Sequence, residues 1–217
     1  MSRFTHVIWD WNGTLLDDAW LCLQVINRQL SQRHLPIVTH SEYQEAFGFP
    51  IRDYYHRLGF EFGDEIFEDV AQEFIDDYER HRAECHLHHH VLEILDRVAA
   101  AGCGQSILSM YQQDALLEVT RTFGIATRMQ HIVGLDTHYA VSKLDIGRRL
   151  IEQINCPLDR IALIGDTDHD SEVATALGIP CALVPGGHQA SHRLAECNAT
   201  LLDSLEAVAK WLALDDD

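Results

Sequence analysis

The chain is short of positive charge. Sixteen lysines and arginines stand against thirty-four aspartates and glutamates, a formal net charge of -18 with the fourteen histidines neutral. A field of that sign repels nucleic acid and anionic membrane surfaces, and no basic stripe offsets it, so neither is expected as a partner. It also repels anionic substrates at long range, so any phosphate site has to carry its own local positive charge. Long apolar runs are missing too: none approaches the roughly 20 residues of a membrane-spanning helix. No charged and apolar leader precedes Asp10, so no secretory signal is read and a cytoplasmic location is expected. There is no Cys-x-x-Cys pair. The six cysteines, Cys22, Cys85, Cys103, Cys156, Cys181 and Cys197, are scattered, and they read as reduced, mostly buried small hydrophobes rather than a zinc site. Internal repeats and low-complexity segments are absent as well.

What is present is a chain of 217 residues, 47% of them hydrophobic, enough to bury a substantial core. Four short β-like runs, Val7-Ile8-Trp9, Ser106-Ile107-Leu108, Ile161-Ala162-Leu163-Ile164 and Cys181-Ala182-Leu183-Val184, are each followed by a loop and a helical stretch. His131-Ile132-Val133-Gly134 is a weaker fifth. Such alternation predicts an α/β fold, a parallel sheet covered by helices on both faces. Apolar residues three and four apart mark helices at Val91-Leu92-Ile94-Leu95-Val98 and Ile146-Leu150-Ile151-Ile154, with Gly102 and Gly178 as stop signals. Residues 201–214 read as a closing helix after one short strand.

Residues 17–87 break this rhythm. Trp20-Cys22-Leu23-Ile26-Leu30 and Ile66-Val70-Phe74-Tyr78 form helical stripes, and no convincing strand is found. The stretch is expected to be a separate all-helical cap inserted into a core made of residues 1–16 and 88–217.

The chemistry begins at Asp10, delivered by an apolar strand into the turn Trp11-Asn12-Gly13-Thr14. A carboxylate held this way suits nucleophilic attack. The turn backbone can wrap a phosphate, which makes Thr14 a candidate for binding substrate. A second acidic cluster, Gly165-Asp166-Thr167-Asp168-His169-Asp170, follows the strongest strand and opens a helix. Carboxylates at the C-terminal ends of parallel strands face one crevice, and two strands that each deliver one make a site for a hard dication. Mg²⁺ takes one or two protein carboxylates plus phosphate oxygens and water. A plain helix cap would explain Asp166 or Asp168 alone, but three acids in five residues exceed what capping needs. Ser109 ends its strand, where its hydroxyl and the following N–H of Met110 can hold a phosphate oxygen. Lys143 opens a helix against the macrodipole, a placement that suits the task of balancing Asp10, the acidic cluster and a phosphate.

These four pieces, in this order, resemble the haloacid dehalogenase superfamily of phosphohydrolases. Its Asp-x-Asp-x-Thr motif is matched by Asp10 to Thr14 with one departure, its Ser/Thr motif by Ser109, its lysine by Lys143, and Gly-Asp-x-x-x-Asp by Gly165 to Asp170. The helical insertion is similar to the small cap of the phosphoglycolate phosphatase and β-phosphoglucomutase branch. The resemblance implies a Rossmann-like core and an aspartyl-phosphate on Asp10. It implies Mg²⁺ on Asp10, the backbone carbonyl of Asn12, Asp166 and Asp170, with Ser109 and Lys143 on the phosphoryl group of a small phosphorylated metabolite. A monomer or homodimer is expected. The 2-haloacid dehalogenases of the superfamily need no metal, so the Asp166/Asp170 pair argues against that activity.

The departure is Asn12, which stands where the family places an acid–base aspartate. It keeps a backbone carbonyl for the metal but exchanges no proton, and acid–base assistance is worth about 10²–10⁴ in rate. Four explanations stand side by side. The substrate is activated (acyl phosphate, phosphoanhydride or aryl ester), or another group such as His56 is the acid. Alternatively the protein binds phosphoryl groups with little turnover, or asparagine replaces an aspartate to trap a complex. In the segment Phe47 to Arg52, Arg52 is a candidate to grip substrate from the cap. The run His86-Leu87-His88-His89-His90 reads as a hinge with solvated imidazoles rather than a metal site, because adjacent histidines cannot all face one ion.

Overall fold

The computed structural model describes residues 3–63, 66–136 and 142–214. In chain order its elements are β1 (His6–Trp9), β2 (Leu16–Asp17), α1 (Ala19–Gln32), α2 (His40–Ala46), α3 (Ile51–Arg57), α4 (Phe67–His81) and β3 (His86–Leu87). They continue with α5 (Val91–Ala100), β4 (Gly104–Gln112), α6 (Gln113–Thr122), β5 (His131–Leu135), α7 (Lys143–Ile154) and β6 (Ile161–Gly165). The last are α8 (Asp168–Leu177), β7 (Cys181–Leu183), α9 (Ser191–Leu194), β8 (Thr200–Leu201) and α10 (Ala207–Trp211).

Six strands form one parallel sheet in the order β5-β4-β1-β6-β7-β8, the α/β core expected from the sequence. Side chains alternate across a strand, and both faces are buried here. Val7 and Trp9 of β1, with Ile107, Ala162 and Ile164, belong to one core cluster that takes in Val91, Ile94, Leu95 and Val98 of α5. Ile8, Leu108, Ile161 and Leu163 face the other way, against Ile146 and Leu150 of α7 and Val173, Ala174 and Leu177 of α8. This two-sided burial is why the strands read as unbroken apolar runs. Trp9 lies level with Ile107 and Ile164, so β1 and β6 end within a residue of each other and deliver their next residues to one edge, beside the middle of β4. Gly102 and Gly178 follow α5 and α8 with positive φ, as the stop signals require.

Two strand assignments differ from the sequence reading. β4 does not stop before Ser109 but continues to Gln112, with its register against β5 broken between Leu108 and Gln112. The polar residues after Leu108 hid this extension, and the irregularity bends the strand where it meets the crevice. The stretch 17–87, read as free of strands, is bounded by two, of which β3 falls in the histidine run read as a hinge. β2 and β3 pair antiparallel, Leu16 with Leu87 and Asp17 with His86. At two residues each they are too short to show any alternation. Between them lie α1 to α4. Gln29 of α1 donates to the Val70 carbonyl of α4 at 2.8 Å, and Arg28 pairs with Asp77 at 2.7 Å.

His6, buried at the start of β1, lies 2.8 Å from the Ser106 hydroxyl through Nε2. Burial first, and then the nearby His131, push its imidazole down to about 4. The unfolded chain takes up this proton near pH 6.5 and the folded chain does not, so stability is lost as pH falls from 6.5 through 4. At about 1.4 kcal/mol per pH unit the loss from this one group is roughly 3 kcal/mol. Urea unfolding of the protein and of His6→Gln across that window should show the parent losing about that much more; parallel pH profiles would refute the assignment.

Candidate active site

Four charged side chains from four places in the sequence meet where the central strands end. Asp10 follows β1, Asp166 follows β6, Asp170 lies in the first turn of α8, and Lys143 is the first residue of α7. All four are buried. The Lys143 ammonium donates to Asp10 Oδ1 and, at 2.6 Å, to Asp170 Oδ1. Ser142 and Asp145 form a capping box that fixes the start of α7 and holds Lys143 inward. Asp170 Oδ2 accepts from the N–H of Thr167 at 3.1 Å and from its hydroxyl at 2.7 Å. One carboxylate therefore both caps α8 and anchors the lysine. Asp166 accepts from the Thr14 hydroxyl at 3.0 Å and from the His188 N–H at 2.7 Å. Gly13, at φ +76°, has to be glycine, because a Cβ there would lie 2.3 Å from Asp166 Oδ2.

Three buried carboxylates face one ammonium, and the imbalance shows in their protonation. Burial above all, opposed by Lys143 and reinforced by Asp170 and Asp166, pushes Asp10 up to about 8. Burial likewise raises Asp166 to about 6. Burial works against the ionised forms of Asp170 and Lys143 too. The contact with Lys143 nevertheless holds Asp170 below the usual carboxylate range, and the two aspartates hold Lys143 above the usual lysine range. Oxygens of Asp10, Asp166 and Asp170 lie within 4.8 Å of one another. An all-oxygen donor set with surplus negative charge fits Mg²⁺, whose charge would keep Asp10 ionised.

A second network, which sequence reasoning missed, explains Asn12. Its amide donates to Asp18 Oδ2 at 2.7 Å and to the Tyr78 hydroxyl at 3.0 Å. Asp18 is fully buried and also accepts from the Gly13 N–H at 2.8 Å and from the Tyr78 hydroxyl at 2.8 Å. His188 Nε2 lies 3.4 Å from Asp18 Oδ1, and its Nδ1 lies 2.7 Å from the Tyr43 hydroxyl. Burial disfavours both charges. The pairing prevails, holding Asp18 below its ordinary range and pushing the His188 imidazole up to about 9. The carboxylate absent at position 12 is thus present at position 18, facing a cation. In the sequence Asp18 directly precedes α1, and nothing local marks it as buried. His188 lay in a Gly-Gly turn after β7, at the same sheet edge, which was the one available signal.

The structure brings Asp10, Asn12, Ser109, Met110, Lys143, Asp166 and Asp170 to the wall of one cavity of about 770 Å³. Ser109 is buried, and its hydroxyl accepts from the Tyr111 N–H at 3.0 Å. Two expected substrate contacts, Thr14 and Arg52, are not among the residues that line this cavity. Thr14 is not part of the cavity wall, because its hydroxyl is committed to Asp166. Arg52 faces outward, paired with Glu68 at 3.0 Å and lying over the Phe67 ring. His56 is also exposed and away from the cavity, its Nδ1 3.1 Å from the Phe60 carbonyl. Of the histidine run, His88 reaches the Gly13 carbonyl at 3.1 Å, whereas His90 turns to Glu93 and Glu206.

Residues 7–184 match a family model described as "Haloacid dehalogenase-like hydrolase". A predicted phosphatase from Clostridium acetobutylicum superposes with a TM-score of 0.80 at 21% identity, covering 98% of this chain and 99% of that one. A predicted phosphoglycolate phosphatase from Haemophilus somnus gives a TM-score of 0.76 at 18% identity, covering 97% and 99%. At such identities the likeness is one of fold. The tyrosine-protein kinase PtkA of Mycobacterium tuberculosis is 24% identical over 183 residues, 84% of this chain. The chain spans 62% of the length of that relative.

Asn12→Asp would set a second carboxylate 2.7 Å from Asp18, and two such groups cannot both ionise. The single substitution should cost about 1–3 kcal/mol in urea unfolding. Combining it with Asp18→Asn, which exchanges the two partners, should recover at least half of that loss. Additive losses in this cycle would show that the two positions are not coupled.

Proposed function

The chain belongs to the haloacid dehalogenase-like hydrolase family, and we propose that it is a magnesium-dependent phosphatase acting on a small phosphorylated metabolite through an aspartyl-phosphate on Asp10. The observation that carries this reading is the buried Asp10 carboxylate, held by Lys143 and facing Asp166 and Asp170 at the open end of the sheet.

In this reading Asp10, Asp166, Asp170 and the Asn12 carbonyl would hold Mg²⁺, whose charge would offset the repulsion between the nucleophile and a phosphate dianion. Lys143 fixes one oxygen of Asp10 and leaves the other for attack on phosphorus. The Ser109 hydroxyl and the Met110 N–H bind the phosphoryl oxygens, and catalysis is chiefly alignment and charge stabilisation. Asn12 delivers no proton to the leaving oxygen; its amide holds Asp18 in place.

Residues 17–87 act as a cap over a core of residues 1–16 and 88–217. Support comes from the two chain crossings tied together in β2 and β3. Further support comes from contacts across the crevice, Gln44 to the Gly187 carbonyl at 2.9 Å and Arg193 to the Glu45 carbonyl at 3.0 Å. A cytoplasmic location is supported by six free cysteines. Among the described residues, no helix is long and apolar enough to cross a membrane. A second reading, a phosphoryl-binding protein of low turnover, is favoured by the one observation of Asn12.

Acetyl phosphate separates the two, since its leaving group needs no acid. With Mg²⁺ the protein should release phosphate from it and yield an acid-quenched, hydroxylamine-labile phosphoprotein. Chelation or Asp10→Asn should abolish both. Neither signal above the Asp10→Asn blank would leave only the binding role.

A further inference from the structure

The cavity above Asp10 is far larger than a phosphate and differs in character from the carboxylate floor. Its outer wall is made of rings: Phe47, Tyr54, Phe67, Phe74, Tyr78 and Tyr111. Along α4 the lining positions 67, 71, 74, 75 and 78 form one helical stripe. Part of this stripe is open: Ile75 is 49% exposed, and Phe74, packed against the core and stacked on Tyr78, is only partly buried.

The wall offers little to a polar substrate. Lys143 is the one lysine or arginine among the lining residues, and it is committed to Asp10 and Asp170. Arg52 and Arg57 lie on α3 but bind Glu68 and the Ala46 carbonyl. Glu79, also in the wall, is already paired with Arg82 at 3.0 Å and brings no free cation to the cavity. The one further cation in the wall, His188, is committed to Asp18 and Tyr43, so a second anionic group, a carboxylate or another phosphate, would find no lysine or arginine free to receive it. Sugar hydroxyls fare little better, because the Tyr78 and Tyr111 hydroxyls are spent on Asp18 and Glu79. The Tyr54 hydroxyl is buried without a partner, a single polar contact among rings.

Asn12 points the same way by a separate route. With no proton donor at that position, the leaving oxygen has to depart as an anion. A phenol ionises near pH 10, whereas water, a guide to simple alcohols, ionises near 16. The deficit that cripples alkyl ester cleavage is small for an aryl ester.

We infer that the substrate is an aryl phosphate monoester, its phosphate beside Lys143 and Ser109 and its aromatic body stacked against the ring-lined wall. The inference rests on the phosphatase reading above. An Asp10 oxygen attacks phosphorus, the bond from phosphorus to the phenolic oxygen breaks, and its electron pair leaves with the phenolate, which takes a proton from solvent. Water then attacks the aspartyl-phosphate. The bond from phosphorus to the Asp10 oxygen breaks, regenerating the carboxylate, and the products are inorganic phosphate and a proton.

The test compares kcat/KM with Mg²⁺ for 2-naphthyl phosphate, phosphoglycolate, glucose 6-phosphate and acetyl phosphate. The aryl ester should exceed phosphoglycolate and glucose 6-phosphate by about 100-fold or more. Phe74→Glu should lower the ratio of the 2-naphthyl to the acetyl phosphate value by about 10-fold or more. An unchanged ratio, or a preference for either alkyl ester, overturns the inference. Loss of acetyl phosphate turnover in the parent protein is instead the failure of the phosphatase reading. Substrate class is then decided by calorimetry on naphthylmethylphosphonate against methylphosphonate, both with Mg²⁺. Binding tighter by about 30-fold or more sustains it; equal affinity overturns it.

Discussion

The site is organised around one ammonium shared by two buried carboxylates. Lys143 joins Asp10, at the end of β1, to Asp170, in the first turn of α8, and it enters from the start of α7. A lone charge this deep would cost several kcal/mol, so each partner stays ionised only while the other two elements hold position. Asp170 ties the group further by capping α8 with its second oxygen. The sheet register, the helix starts and the nucleophile are thereby made mutually dependent. The remaining negative charge, on Asp166 and in part on Asp10, is the opening a hard cation can fill.

Much of the core was legible because it obeys simple rules. Strands buried on both faces read as unbroken apolar runs, and Val7 to Trp9 and Ile161 to Ile164 are such runs. Asp10, Lys143, Asp166 and Asp170 stood out as charges at strand ends or helix starts. What escaped was set by tertiary contact. No local pattern shows that Asp18 is buried, because its acceptors are filled by Asn12, Gly13 and Tyr78, the last sixty residues away. Thr14 and Arg52 carried the right chemistry in plausible places. Their partners, Asp166 and Glu68, lie 152 and 16 residues on, and neither is deducible from spacing. The extension of β4 was hidden because Ser109 to Gln112, which line the cavity, break the apolar run that marks the strand.

Asn12 is better understood as half of a pair than as a missing acid. A carboxylate and a protonated imidazole, Asp18 and His188, sit behind it, and Tyr43 and Tyr78 complete their hydrogen bonds. The local charge resembles that of a site with aspartate at position 12, moved back from the reacting atoms. Asn12, Asp18 and His188 all line the cavity, and there the carboxylate and the imidazolium are paired with each other.

This arrangement also limits how modular the protein can be. In the proposed division into core and cap, the border at the ribbon of β2 and β3 falls between Asn12 and Asp18. Helical insertions of this kind look interchangeable, joined to their host by two short chain crossings. Here an exchange at that border would take Asp18, Tyr43 and Tyr78 away with the insertion. It would strand an asparagine amide and a buried imidazole on the host. In this chain the two parts are therefore matched, and recombination with a relative would have to carry residues 12 and 188 across together with the helices.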